Sequence, residues 1–200
     1  NGPLVRDRAR MKFSIFFEMQ ISEPTRELLL LAVAAAINRF VARQCSVAPA
    51  RLKWSGLLPL RDPREAVAAI NEMQRLGARA AVVFGTAGER LLSDPTFLPI
   101  WDEFARTQLP LCVHMGMSYP PFAEVCNGLL AAHGIGMSLP AMMAFVAIVG
   151  HGILDRYNNL KVAFLEFGAE WILYMVPRLD HYLPIDRTQM PITTELPERA

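Results

Sequence analysis

Two hundred residues, 52% apolar and 20% charged, suffice for one globular body with a real core, but fall short of the about 250 residues of a complete (β/α)₈ barrel. Twenty basic and nineteen acidic residues leave a formal charge of +1 and are scattered along the chain, which argues against nucleic acid as a partner. The apolar runs Leu28 to Ile37 and Leu139 to Val149 are shorter than the about 20 residues that cross a bilayer, so they read as buried helices and no membrane partner is expected.

Cys45, Cys112 and Cys126 form an odd, widely spaced set without a CxxC pair, and no export leader is recognisable. A reducing cytoplasm is the expected location. In chain order, Leu28 to Gln44 suits a helix buried at its start and solvated at its end. Arg51 to Leu60 is a short apolar run feeding Asp62-Pro63-Arg64-Glu65, in which Asp caps a helix and Pro takes its first position. Ala66, Ala69, Ile70, Met73 and Leu76 then recur at helical spacing, and Gly77 closes the helix.

Ala78 to Thr86 is the next strand, and Gly85, Thr86 and Gly88 allow a loop in which backbone can approach a ligand. Asp94-Pro95 opens a second helix with Trp101, Phe104 and Ala105 inward, and Leu109 to His114 is a third strand. A loop over Met115 to Met137 precedes a helix running from Ser138 toward Tyr157. Lys161 to Glu166 is a fourth strand, and Ala169 to Tyr182 a helix broken or kinked at Pro177. Strands alternating with helices at this spacing predict a parallel α/β sheet with working residues at the carboxyl ends of its strands. The pattern alone does not separate a barrel from an open doubly wound sheet.

His114 ends a strand and is followed by Met115-Gly116 and a long loop, the place where barrels carry catalytic groups. A hydrogen-bonded structural histidine fits equally. Glu166, closing KVAFLE with Val162 and Phe164 below it on the same face, can bind a metal or act as a general base, or can pair with an arginine. His151, between two glycines, reads as structural or capping. His133 falls in the long loop and His181 on the last helix, and neither is assigned to catalysis. Cys112 reads as a small buried residue, because no base is at hand to activate it. No Walker, G-x-S-x-G, H-E-x-x-H or G-x-G-x-x-G motif occurs.

Three stretches together, Ala36 to Phe40 leading to Arg51-Leu52 and Leu57 to Pro63, Leu92 to Trp101 leading to Leu111 to His114, and Gly152 to Asp180, resemble the amidohydrolase-related family of metal-dependent hydrolases and decarboxylases. The resemblance implies an α/β chain of the (β/α)₈ TIM-barrel type, with about strands three to six in residues 28–183, flanked by an N-terminal segment over 1–27 and an extension over 184–200. By position His114 resembles the family's fifth-strand metal ligand. Glu166 falls on the sixth strand, where many members carry a catalytic His. The implied cofactor is a divalent metal, zinc by preference. The implied reaction is hydrolysis or non-oxidative decarboxylation of a small cyclic or unsaturated carboxylic acid, by a homo-oligomer.

Two departures stand out: no His-x-His occurs, and the family's eighth-strand Asp would follow Ala200. They leave as the alternative a catalytically inactive barrel remnant serving as a binding or assembly module. Met11 to Pro24 resembles the opening strand of luciferase-like flavin monooxygenases, which adds a flavin-using barrel as a third reading.

Overall fold

The computed structural model describes residues 23–186; the N-terminal strand of flavin type lies almost wholly outside them. Helix α1 spans Glu23–Cys45, strand β1 Ser55–Leu57, α2 Pro63–Arg75 and β2 Ala80–Phe84. A small hairpin of β3 (Thr86–Ala87) and β4 (Arg90–Leu91) follows, then a 3₁₀ turn at Pro95–Phe97, α3 (Leu98–Thr107) and β5 (Leu111–His114). Beyond β5 come α4 (Pro120–Val125), α5 (Leu129–Ala131), α6 (Ser138–Phe145), α7 (Ile153–Arg156), β6 (Val162–Leu165) and α8 (Glu170–Asp186).

Four strands form one sheet in the order β1-β2-β5-β6, every pair parallel. That order follows the chain and shows no reversal among the described strands. A closed eight-stranded barrel is not what the described residues make; the sheet is open. Register aligns Ala81, Leu111 and Val162 in one row and Val83, Val113 and Phe164 in another, all on one face. This face carries the core: Ala81, Val83, Leu111 and Val113 are buried with Ile70 and Met73 of α2, Ile100 and Phe104 of α3, and Ala141 and Ala144 of α6. Each large side chain among them contributes about 1.5–3 kcal/mol by leaving water. On the opposite face Val82, Phe84, Cys112, His114 and Leu165 are only half-buried.

The capping chemistry of α2 follows its sequence. Asp62 accepts from the Arg64 and Glu65 amides, Pro63 takes the first position, and Gly77 follows the helix at φ +83°. Asp94 likewise accepts from the Thr96 amide at 2.9 Å and hydroxyl at 2.6 Å, which holds its carboxyl below the usual carboxylate range.

Other stretches differ from the periodicity. Only Ser55–Leu57 of the Arg51 to Leu60 run is strand. Residues Met115 to Met137 are not one loop, because Pro120-Pro121 starts α4 and a π-helical turn over Ala132–Gly136, which includes His133, leads into α6. A second π-helical turn, Val146–Gly150, joins α6 to the Gly150–Gly152 break before α7. Together Leu129–Gly150 forms a 22-residue helical ribbon that is long and apolar enough to cross a membrane, longer than the apolar run at Leu139 suggests. Its Ala141, Ala144, Ala147 and Ile148 are wholly buried against this protein's own core. Helix α8 passes through Pro177 without a break, although Pro177 lacks the amide that would bond to the Leu173 carbonyl. Helix α1 starts before the Leu28 and α8 ends after the Tyr182 expected from the sequence.

The outer edge of β1 is closed by a side chain. Buried Asn38 of α1 donates from Nδ2 to the Leu57 carbonyl at 2.9 Å and accepts from the Leu57 amide at 2.8 Å, supplying the two bonds a neighbouring strand would give. Asn38→Leu orphans both groups and lowers unfolding stability by about 3 kcal/mol in urea titrations; a loss under about 0.5 kcal/mol means that the edge does not depend on this clasp.

Candidate functional site

The site is built at the carboxyl rim of β5 and β6. His114 is the last residue of β5, in register with Leu165, and its ring meets the Phe84 ring edge-on at 6.2 Å between centroids. The backbone then turns at once, with the Met115 amide donating to the Leu165 carbonyl at 3.2 Å and the Gly116 amide to the Met137 carbonyl at 2.9 Å. Glu166 lies one residue past β6 with φ +72°, a left-handed conformation costly for a residue with a Cβ.

That conformation corrects the expected face. Had the pleat continued, Glu166 would share the helix-packed face of Val162 and Phe164, opposite His114. The left-handed turn instead carries the carboxylate back over the rim, where Glu166 Oε2 stands 3.2 Å from His114 Nε2. The His114 side chain is 32% exposed and that of Glu166 69%, so the pair opens to solvent. His114 Nδ1 lies 2.6 Å from the Met115 carbonyl, which can only accept, so Nδ1 carries the proton. In a neutral ring Nε2 is then an acceptor facing a carboxylate, and a shared proton or a cation satisfies both.

Two donors on one ion at about 2.1 Å each and a tetrahedral angle stand about 3.4 Å apart, close to the observed spacing. Catalytic sites nevertheless need about three protein ligands. Among the described residues no group of three or more His, Cys, Asp or Glu side chains is placed to hold a metal ion. As a metal set, the residues present fall short.

No protein-family model matches the chain. Among curated proteins it is 26% identical over 171 residues to the gamma-resorcylate decarboxylase of Rhodococcus jostii (strain RHA1), covering 79% of this chain and 51% of that protein. It is 23% identical over 159 residues to the 2-amino-3-carboxymuconate-6-semialdehyde decarboxylase of Dictyostelium discoideum, covering 76% and 42%. Among solved structures, 5-carboxyvanillate decarboxylase from Novosphingobium aromaticivorans, complexed with manganese and 4-hydroxy-3-methoxy-5-nitrobenzoic acid, superposes with a TM-score of 0.69 at 22% identity over 84% of this chain and 48% of that one. These curated relatives are decarboxylases, and the chain's fold is also like that of a putative amidohydrolase from Staphylococcus aureus, with a TM-score of 0.66 at 20% identity over 76% of this chain and 52% of that one. The chain spans about half the length of the curated relatives it matches.

The other candidates fall elsewhere in the fold. Cys112 shares the His114 face, and burial pushes its thiol up, away from nucleophile behaviour. His133 is in the π-helical turn before α6, and His181 stacks edge-on against Tyr182 on α8. A groove of about 210 Å³ lies between α1, β1 and α2, lined by Leu31, Ala34, Asn38, Ala69 and Met73 among others, two strands from His114. Gly85 approaches the backbone of α6 rather than leaving room for a ligand. Sequence reasoning placed Thr86 in a ligand-approach loop and passed over Ser118, yet their hydroxyls meet at 3.0 Å; no local pattern announces a contact between residues so far apart in the chain.

His151 holds a structural position, Nδ1 2.7 Å from the hydroxyl of buried Ser93. Burial holds its ring below the ordinary value of 6.5. The unfolded chain therefore binds a proton that the folded chain resists. The resulting stabilisation is complete above about pH 6.5 and drains away as the pH falls through the lower folded value. Urea midpoints taken from about pH 7.5 down to 5 should fall for the native chain and flatten in His151→Gln; parallel profiles would remove His151 from the account.

Proposed function

We propose that the chain contributes the His114–Glu166 part of a divalent-metal-dependent, non-oxidative decarboxylase acting on a small aromatic or unsaturated carboxylic acid. The observation that carries this reading is the contact of His114 and Glu166 at 3.2 Å on the rim of a parallel sheet, in a chain whose curated relatives are decarboxylases. They favour decarboxylation over hydrolysis and an enzyme over an inactive assembly module. In the reaction the bond between the carboxylate and its carbon breaks, carbon dioxide leaves, and a proton takes the vacated position, so no oxidant or reductant is consumed. Glu166, exposed and beside an imidazole, is the group proposed to carry that proton.

His114 is proposed as one ligand of the metal, and the remaining donors would come from outside the described residues. Manganese, held by the solved 5-carboxyvanillate decarboxylase, and zinc are both candidates. A cytoplasmic homo-oligomer completes the proposal, and Cys45, Cys112 and Cys126 are free thiols, as a reducing compartment leaves them.

The test is to supply purified protein with manganese or zinc and a panel of hydroxybenzoic and unsaturated acids, following carbon dioxide release and the decarboxylated product. Equimolar appearance of both supports the reading. No turnover of any acid, together with no retained metal, would falsify it.

A further inference from the structure

We infer that Trp171 positions Glu166: the stack of its indole on Phe167 holds the left-handed turn that brings the carboxylate over to His114. Along β6, Val162 and Phe164 face the helices and Leu165 faces the other way, so a regular pleat would send Phe167 to the His114 side and Glu166 beneath the helices. The structure has the two exchanged. The Phe167 ring lies edge-on to Phe164 at 6.4 Å between centroids, and Glu166 Oε2 lies 3.2 Å from His114 Nε2. The left-handed residue between the two rings, Glu166 at φ +72°, accounts for both changes at once.

Trp171 stands in the first turn of α8. Its indole stacks on the Phe167 ring at 4.9 Å and 17° between planes, and it meets Phe164 at 5.6 Å and Phe145 of α6 at 5.1 Å, both edge-on. Phe145 and Phe164 meet in turn at 5.7 Å, so the indole closes a cluster of four rings. Its Nε1 donates to the Gly168 carbonyl at 3.1 Å, which fixes the far side of the turn. Among the described residues, no backbone-to-backbone hydrogen bond outside the helices and strands reaches Glu166, Phe167 or Gly168. The His114 contact cannot hold the turn by itself, because an ion pair at a carboxylate 69% exposed is weak. The cost of one left-handed residue and the gain from a stacked aromatic pair are of the same order. Losing the stack therefore lets residue 166 return to an extended φ, which draws its carboxylate off His114. Trp171 is thus a positioning residue acting through Phe167. Its effect on turnover rests on the decarboxylase reading; its effect on the turn does not.

The experiment is nuclear magnetic resonance on the isotope-labelled full chain. It reads the HN–Hα scalar coupling and intraresidue HN–Hα contact of Glu166, which separate left-handed from extended backbone, and the cross-relaxation contact between the Glu166 side chain and the His114 ring. The native chain, Trp171→Phe and the control Tyr174→Ala, which removes an exposed ring from the same helix, should each show the left-handed pattern and the contact. Trp171→Ala should lose both. If Trp171→Ala does not fold, Phe167→Ala, which removes the other half of the stack, decides on the same signals. A left-handed Glu166 in the folded variant without the stack overturns the inference, as does an equal loss in Tyr174→Ala or a complete loss in Trp171→Phe. Where turnover is measurable, kcat in Trp171→Ala should fall about 10- to 100-fold with KM unchanged, and Trp171→Phe should keep most of it. A lost left-handed turn in a chain that decarboxylates nothing upholds the stack and counts against the decarboxylase reading alone.

Discussion

If Glu166 carries the proton as proposed, Glu166→Gln lowers kcat for the proposed decarboxylation by about 10²–10⁴-fold, the usual worth of a positioned proton carrier, while the melting temperature stays where it was. The two halves of this result have separate causes. The amide keeps the size and hydrogen-bonding reach of the carboxylate but can no longer carry the proton to substrate. Stability is spared because the side chain is 69% exposed and its close polar contact among the described residues is His114 at 3.2 Å, and exposed substitutions of this kind shift stability by no more than about 0.5 kcal/mol. Parallel measurement of kcat and thermal midpoint separates the two. A variant retaining more than about a tenth of the native kcat removes Glu166 from the proton path, and a matching fall in stability makes its role structural.

Gly85→Ala destabilises the fold by about 3 kcal/mol or more. A methyl group at this position would lie on top of the Pro140 carbonyl and 2.5 Å from the Ala141 nitrogen, both backbone atoms of α6. Backbone cannot rotate aside as a flexible side chain can, so either α6 moves off the sheet or β2 is displaced from β5. Wholly buried Ala141 and Ala144 ride on the same helix, which spreads the damage into the core. A urea titration with a midpoint near that of the native chain contradicts this close approach. Gly77→Ala gives a useful contrast: nothing lies within 4 Å of its added methyl, and its cost comes from φ +83° alone, about 1–2 kcal/mol.

Much of the architecture was readable from local chemistry. Asp62-Pro63-Arg64-Glu65 and Asp94-Pro95 mark helix starts because their side chains satisfy amides only two or three residues away. The inward set Ile70, Met73, Trp101 and Phe104 follows from helical spacing, and all four are buried. The strand ends at His114 as its position before Met115-Gly116 suggests. Less legible were stretches whose state depends on distant partners. The region from Met115 to Met137 looks like loop from its glycines and prolines, yet it is largely helical turn packed beside the rim. Pro177 reads as a break or a kink, and α8 continues through it.

Alternation of strands and helices, the capping signals and the placement of His114 at a strand end are properties of short segments, and the amino-acid order alone determined them. The partnership of His114 with Glu166 is of another kind. Counted along the pleat, Glu166 belongs to the face that packs under the helices, and only the left-handed turn at φ +72° returns its carboxylate to the histidine. A single backbone torsion, held by the structure around it against its intrinsic cost, decided that. The Asn38 clasp on Leu57 and the Thr86–Ser118 contact were decided in the same way, because hydrogen bonds between residues 19 and 32 positions apart exist only once the chain has folded.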